Sequence, residues 1–200
     1  SSEAEMEAAF RGVVGERLRW GLSAAGYLDP KVFRHFHRHG VELCSGFGMT
    51  EATGGITMSP PGDYVPHSVG VPLPGIRVRL AESGEMQIAG PYVARYLAEE
   101  GQGLERVPAM QEDGQEWLPT GDVFRRLPGG HLSIVDRVKD IYKNDHGQTV
   151  APNHVERKFH SVPGIRRTFL VGDHRSFNVL LIVPDRDDPV LRQAPDDESR

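Results

Sequence analysis

The sequence has little cysteine, no long apolar run and no excess of positive charge. Cys44 is the only cysteine among 200 residues, so the chain can form neither an intrachain disulfide nor a cysteine-based zinc cage. No apolar run approaches the roughly 18 residues that span a bilayer, and residues 1–7 lack the basic-then-apolar pattern of a signal peptide. These absences favour a cytoplasmic protein without a transmembrane segment.

The net charge of the chain bears on which classes of partner it can bind. A formal net charge of −5 disfavours a general nucleic-acid surface, so we expect no nucleic-acid partner. Local basic pairs such as Arg125-Arg126 remain compatible with a peripheral membrane contact. The hydrophobic content of 38% and the charged content of 26% are typical of a globular protein with a packed core, in one or two domains.

Helices and strands alternate in the first quarter of the chain. Apolar spacing predicts a helix over residues 3–17, a strand over 18–25 and a second helix from Asp29-Pro30 to about Gly40. A short buried strand over residues 41–44 follows. This alternation implies part of a parallel α/β layer.

Strands predominate after Ile56, and a smaller mixed region follows them. Two hairpins are predicted, and together they form a small β subdomain: 76–80 with 85–89, and 122–127 with 131–135. Beyond them, the spacing predicts an α+β unit made of a helix over 152–161 and strands over 168–171 and 178–183. The residues from Pro184 onwards have little to bury, which predicts a linker or a frayed end.

Residues 45–51, Ser-Gly-Phe-Gly-Met-Thr-Glu, combine the groups that a nucleotide site uses. Glycine lets the backbone approach a ligand, and the Phe47 ring offers a stacking face. Thr50 can donate to a phosphate oxygen, and Glu51 can hold a hard cation such as Mg²⁺. Short glycine-containing matches are common, so an ordinary strand-to-loop turn is the alternative interpretation.

A second group of polar residues flanks the predicted hairpin at 122–135. Asp122 follows Thr120-Gly121 and can accept hydrogen bonds from both hydroxyls of a vicinal diol, of which ribose is the obvious example. Arg137 follows the same hairpin and can donate to the same ligand. A hairpin turn and a surface ion pair are the alternatives, and Asp136 and Asp140 are interpreted as ion-paired turn residues.

Two other features suggest chemistry but favour a structural role. His35 and His39 are spaced to share one helix face, yet no third metal ligand is evident near them in the sequence. Cys44 ends an apolar strand, which predicts a buried and inert thiol rather than a nucleophile.

Four motifs in order resemble the signatures of the adenylate-forming acyl-CoA synthetases. They are residues 46–51 (GFGMTE), 120–122 (TGD), 137–140 (RVKD) and 150–156 (VAPNHVE). The last form is more similar to the long-chain fatty acid CoA ligase branch than to amino-acid-activating domains. The resemblance extends from about residue 18 to residue 185.

The resemblance implies a fold class and a domain division. It implies an α/β protein, with the end of a helix-strand layer of a large adenylating domain, a small β subdomain of hairpins and a partial α+β C-terminal domain. The large-domain part would cover residues 1–136, with the β subdomain at about 68–136. The hinge and the partial mobile domain would cover residues 137–200.

The resemblance also implies roles for individual residues. Thr50 and Glu51 would be catalytic, with Thr50 on the α-phosphate and Glu51 on Mg²⁺. Lys139 would be the hinge, and Gly147 would lie in a loop that faces coenzyme A. The implied nucleotide-binding residues are Ala24, Ala25, Gly46, Phe47, Gly48, Met49, Thr50, Asp122 and Arg137.

The implied activity is ATP-dependent joining of a carboxylate, here a fatty acid, to coenzyme A through an acyl-AMP intermediate. No phosphate loop precedes residue 18, and Arg200 comes before the expected C-terminal Lys. We therefore expect a fragment that is inactive alone and binds nucleotide weakly or not at all. The alternatives are a non-catalytic AMP-binding or interaction relative, and an acyl-AMP ligase that loads a carrier protein.

Overall fold

A computed structural model describes residues 2–24, 26, 28–94, 110–112 and 114–192. The chain divides into two compact units. Unit 1 comprises Ser1–Thr120 and Phe124–Ile134, and unit 2 comprises Gly121–Val123 and Val135–Arg200. Within the described ranges, no helix has the length and apolar character needed to cross a membrane.

Unit 1 begins, in chain order, with a helix, a strand and a second helix, and the elements that follow are mainly strands. The elements are α1 (Glu3–Val14), β1 (Trp20–Ser23), α2 (Pro30–Arg38), β2 (Glu42–Met49), β3 (Gly54–Met58), β4 (Val71–Pro72), β5 (Arg77–Leu80), β6 (Glu85–Ala89), β7 (Met110–Glu112), β8 (Gln115–Arg126) and β9 (Leu132–Arg137), the last two extending into unit 2.

The two helices of unit 1 begin at the residues that favour a helix N-terminus. In α1, Ser2 and Glu5 form a reciprocal capping box, and the helix ends at Val14, three residues before its predicted end. In α2, the Asp29 carboxylate accepts from the Lys31 backbone N–H at 2.7 Å, and Pro30 is the first helical residue. The predicted cap of α2 is therefore confirmed.

The first sheet has the strand order β1-β2-β3-β4. Strands β1 and β2 are parallel, which confirms that part of the predicted α/β layer, whereas β2-β3 and β3-β4 are antiparallel. Strand β2 runs on to Met49, five residues beyond the predicted strand end at Cys44. The predicted strand end at Cys44 is therefore wrong, because Ser45 pairs with β1 and residues 46–49 pair with β3, and the turn begins only at Thr50.

The second sheet has the order β5-β6-β8-β7, and β9 also pairs with β8. Both predicted hairpins are present as β5-β6 and β8-β9. The core of unit 1 is built from apolar side chains of the two sheets and of the turn after β2. It consists of Ala52, Ile56, Ile76, Met86, Ile88, Leu118, Phe124 and Leu132.

Unit 2 contains short strands and short helices. They are β10 (Tyr142–Lys143), β11 (Thr149–Val150), α3 (Pro152–Glu156), β12 (Ile165–Val171), β13 (Val179–Pro184) and α4 (Pro189–Arg192). The predicted helix over 152–161 is shorter, because a 3-10 turn at Arg157–Phe159 replaces its second half. The segment after Pro184 is not wholly irregular, since α4 lies within it.

Candidate functional site

A cavity of about 720 Å³ lies against β2 and β3 in unit 1. It includes a run of the predicted nucleotide-binding residues, Gly46 to Thr50, together with Ala24 from the end of β1. The remaining lining residues are Leu22, Thr53, Gly54, Gly55, Thr57, Met58 and Leu73. The predicted residue Ala25 lies outside the described residues.

Gly48 allows β2 and β3 to approach each other closely. The register of the pair shifts between Phe47 and Gly48, and a Cβ atom at Gly48 would overlap the Gly54 carbonyl oxygen. The sequence-based argument assigned this glycine to close approach of a ligand. The structure shows that contact between two strands already requires it.

Phe47 is shared between the cavity and the core. Its ring lines the cavity and meets the buried Phe124 ring edge to face, with centroids 5.0 Å apart and an interplanar angle of 69°. This contact fixes the position of the Phe47 side chain from the core side. The ring is therefore held in place before any ligand arrives.

Thr50 and Glu51 begin a 3-10 turn that follows β2. Thr50 is exposed and lines the cavity, and Thr53 closes the turn in the left-handed region at φ 53°. Glu51 is half-buried, and its backbone carbonyl accepts from the Ala94 N–H at 2.6 Å. Glu51 is not among the residues that line the cavity, and its role as a Mg²⁺ ligand stays a prediction.

In unit 2, Asp122 and Arg137 lie side by side. The Arg137 Nε atom is 3.6 Å from Asp122 Oδ1, and the Asp122 side chain is 16% exposed against 62% for Arg137. The Val138 N–H donates to the Gly121 carbonyl at 2.8 Å, which fixes the two backbone segments beside each other. The structure thus brings together the two residues that the sequence assigned to one ligand, while their role in binding ribose stays a prediction.

Lys139 and Gly147 occupy two exposed turns of unit 2. Lys139 lies in a turn closed by the Asp140 and Ile141 N–H groups, which both donate to the Arg137 carbonyl. Gly147 has φ +74° in the loop between β10 and β11, where its N–H donates to the Asn144 carbonyl at 3.0 Å. The hinge and coenzyme A roles of these residues stay predictions.

Asp136 differs from its predicted role as an ion-paired turn residue. Its side chain is 1% exposed and accepts from the Arg137 backbone N–H at 2.8 Å and the Asn153 backbone N–H at 2.9 Å. It also accepts from the Asn153 side-chain amide. The carboxylate therefore caps the start of α3, where Ala151 offers no capping side chain.

His35 and His39 of α2 pack against an aromatic ring, and Cys44 is buried. Phe10 of α1 stacks on His39 with centroids 4.6 Å apart and meets His35 edge to face at 5.2 Å. No group of three or more metal-ligating side chains occurs in the described part of the chain. Cys44 is 1% exposed, and burial raises the pKa of its thiol.

The sequence-based argument missed the β3 side of the cavity. Thr53, Gly54, Gly55 and Thr57 line it, and Leu73 closes it from the segment after β4. A signal was present, because Gly54-Gly55 leaves a strand surface without side chains directly after the motif. Only the pairing of β2 with β3 shows that this surface faces the same cavity.

Comparison with protein families and curated proteins identifies relatives of this chain. Residues 2–97 match the family described as AMP-binding enzyme. Long-chain-fatty-acid–CoA ligase 6 of Rattus norvegicus is 35% identical over 186 residues, which are 86% of this chain and 26% of that protein. Long-chain-fatty-acid–CoA ligase 1 of Homo sapiens is 32% identical with the same coverage. The chain thus spans about a quarter of the length of these curated relatives.

Solved structures have the same fold. The O-succinylbenzoate coenzyme A synthetase of Bacillus subtilis in complex with AMP is 21% identical, with a TM-score of 0.70 over 90% of this chain and 40% of that one. The anthranilate CoA ligase AuaEII in complex with anthranoyl-AMP is 22% identical, with a TM-score of 0.67 over 88% and 36%. Residues 2–97 thus resemble the AMP-binding enzyme family, and the predicted resemblance of the chain to the adenylate-forming acyl-CoA ligases is confirmed.

Proposed function

We propose that this chain carries part of the adenylate site of an ATP-dependent carboxylate–CoA ligase whose carboxylate is a fatty acid. The observation that carries the proposal is the cavity on β2, which five consecutive residues of the predicted nucleotide motif, 46–50, help to line. Its volume of about 720 Å³ is in the range of small-molecule and cofactor sites. The fatty-acid relatives support the choice of substrate.

Three residues of the cavity region have separate roles in this proposal. Phe47, already fixed by Phe124, lies beside adenine. The Thr50 hydroxyl donates to the α-phosphate, and Glu51 holds Mg²⁺. When bound, Mg²⁺ offsets the negative charge of the phosphates. Ala24 borders the adenine from the end of β1, and the resemblance extends the same role to Ala25.

Residues of unit 2 have proposed roles of their own. Asp122 accepts from the ribose hydroxyls, and Arg137 donates to the same sugar. Lys139 is the hinge for rotation between the half-reactions, and Gly147 lies in the loop that faces coenzyme A. The division into a part ending at residue 136 and a mobile part from residue 137 belongs to the same proposal.

The proposed reaction has two displacements. A carboxylate oxygen attacks the α-phosphorus of ATP, the bond to the β-phosphate oxygen breaks, and pyrophosphate leaves. The coenzyme A thiolate then attacks the acyl carbon, the bond to the AMP oxygen breaks, and AMP leaves with the electron pair. Binding both reactants in one site makes each attack effectively intramolecular.

Nucleotide binding to the chain tests the proposed site. We expect AMP with Mg²⁺ to shift amide NMR signals of residues 46–50 and of Asp122 and Arg137, with an affinity weaker than micromolar. Thr50→Val removes a hydrogen bond to a charged oxygen, so it weakens binding by roughly tenfold or more. Thr149→Val, an exposed threonine of β11, is the matched control and leaves the affinity unchanged. Equal effects of both variants, or AMP binding that leaves the signals of residues 46–50 unshifted, would refute the site.

Activity assays on the chain and on a longer parent protein separate the alternatives. Carboxylate-dependent pyrophosphate release followed by coenzyme A thioester formation in the parent supports the ligase. Transfer only to a phosphopantetheinylated carrier identifies a carrier-loading ligase, and AMP binding without pyrophosphate release identifies a non-catalytic relative. Pyrophosphate release by the chain alone would contradict its predicted inactivity.

A further inference from the structure

A second cavity in unit 1, of about 350 Å³, lies beside α2 and has no role in the proposed ligase chemistry. It is lined by Phe33, Arg34, His37, Arg38 and Tyr64, and we call it the α2 cavity. None of these residues lines the cavity on β2. Its lining combines positive charge with aromatic rings, although the net charge of the whole chain is −5.

Within the described part of the chain, no acidic side chain neutralises the positive charge of the α2 cavity. Arg34 and Arg38 are four residues apart on α2, so they lie on one face of the helix, and both are exposed. Among the residues that the structure describes, no carboxylate forms an ion pair with either guanidinium. Like charges at this spacing repel each other, and a bound anion would turn that repulsion into attraction.

Carboxylates close in sequence to the cavity residues are engaged with other donors. Glu42 accepts from the Gly62 backbone N–H at 2.8 Å. Asp63, next to Tyr64, lies 3.1 Å from the Nε2 atom of His131. These contacts direct the two acidic groups to partners outside the lining, so an incoming anion meets the cationic side chains.

The aromatic wall of the α2 cavity is rigid. Phe33 is 1% exposed, and Tyr64 stacks on it with centroids 3.3 Å apart and an interplanar angle of 9°. The His37 ring lies 4.2 Å from Phe33, and its Nε2 atom is 3.1 Å from the Leu43 carbonyl oxygen and 3.2 Å from the Leu43 N. A wall fixed in this way loses little freedom when a ligand binds against it.

We propose that the α2 cavity binds a phosphate monoester carried on a planar ring. Guanidinium groups match phosphate oxygens with paired hydrogen bonds, so Arg34 and Arg38 hold the phosphate. The ring of the ligand lies against Tyr64 and the neighbouring aromatic wall. The volume of about 350 Å³ accommodates a single substituted ring.

Phenyl phosphate is the probe that tests the proposal, because it contains both parts of the ligand. We expect it to shift the Arg34 and Arg38 side-chain NMR signals and to bind more tightly than inorganic phosphate or phenol. The double variant Arg34→Gln with Arg38→Gln weakens binding at least about tenfold. Arg34→Lys with Arg38→Lys keeps the charge and gives a smaller loss, because lysine lacks the planar fork.

Two further variants separate a built site from a general charge effect. Arg125→Gln with Arg126→Gln removes the same charge from another exposed pair of unit 1 and leaves the affinity unchanged. Tyr64→Leu keeps Phe33 covered but removes the preference for phenyl phosphate over inorganic phosphate. Thr50→Val, which tests the nucleotide site, has no effect here, so the two proposals fail independently.

Two results would overturn the proposal. The first is the absence of saturable phenyl phosphate binding at millimolar concentration by the folded chain. The second is an equal loss of affinity in the 34/38 and 125/126 double variants. Far-UV circular dichroism of each variant verifies that the fold is retained.

Discussion

In unit 1, the side chains of Ile56, Met86, Ile88 and Leu132 are fully buried in a single cluster. In the described part of unit 2, the buried apolar side chains are Leu170, at 8% exposed, and Pro152 at the start of α3. Unit 2 instead relies on polar side chains that bind distant backbone groups. Burial of apolar side chains therefore stabilises unit 1, whereas specific hydrogen bonds stabilise unit 2.

The polar contacts of unit 2 connect its small elements one by one. The Glu156 carboxylate of α3 accepts from the Leu170 N–H of β12 at 2.7 Å. The Tyr142 hydroxyl donates to the side-chain oxygen of Asn178 at 2.8 Å. Beyond these contacts, Phe169 and Leu181 remain 62% and 54% exposed on the β12-β13 sheet. Apolar area therefore contributes little to the stability of this sheet.

Truncating a leucine in each unit gives the largest expected difference. Leu132→Ala removes a side chain with 0% exposure from the core, so it lowers the free energy of unfolding of unit 1 by about 2–5 kcal/mol. Leu181→Ala is the matched control in unit 2 and changes stability by about 0.5 kcal/mol or less. Urea titration combined with amide hydrogen exchange measures the free energy of unfolding of each unit. Equal losses of stability in the two variants would contradict the difference between the units.

Removing one carboxylate tests the role of hydrogen bonds in unit 2. Asp136→Ala leaves the Asn153 and Arg137 N–H groups without their acceptor and destabilises unit 2 by about 1–3 kcal/mol. Hydrogen exchange at these two amides should accelerate, while that of Ile88 in unit 1 stays unchanged. Asp187→Ala removes an exposed carboxylate paired with Arg192 and has little effect. Unchanged exchange at Asn153 would show that Asp136 is dispensable.

The smallest expected effect concerns the pH dependence of unit 1. Burial raises the pKa of the Cys44 thiol, the Glu42 charge raises it further, and a hydrogen bond with Trp20 opposes both. The folded state therefore retains the thiol proton at a pH where the unfolded chain has lost it. This contribution to stability is complete below the pKa of the unfolded thiol and is lost as the pH rises through the folded value.

Urea titrations of the wild type and of Cys44→Ala across the alkaline range measure this contribution. The stability of the wild type should fall relative to that of the variant as the pH rises above about 8.5. Parallel stability curves would contradict the assigned shift.

Local signals predicted the elements of unit 1 well, and tertiary contacts explain the failures. The Asp29-Pro30 cap and the hairpin of β5 with β6 follow from capping and alternation, and both are present. The extension of β2 to Met49 was missed, because Ser45, Gly46 and Gly48 give no strand pattern. Pairing with β3 nevertheless holds these residues extended.

The sequence predicted which residues belong to the candidate site but not all of the contacts that these residues make. The sequence identified residues 46–50 and the pair Asp122 and Arg137, and the structure places each group together within its own unit. It did not identify Asp136 as a buried acceptor, because its partner Asn153 is 17 residues away in sequence. Local composition carries no information on a pairing of that kind.

The hydrogen bonds of the Asp136 carboxylate to Arg137 and Asn153 connect the two ends of the segment between these residues. Residues 137–152 begin and end at one carboxylate, which joins the turn at Arg137 to the first turn of α3. Lys139 and Gly147 both lie inside this segment. If Lys139 acts as the proposed hinge, a rotation that moves α3 away from β9 would break the hydrogen bonds between Asp136 and Asn153, so the rate of rotation would depend on these bonds as well as on the turn.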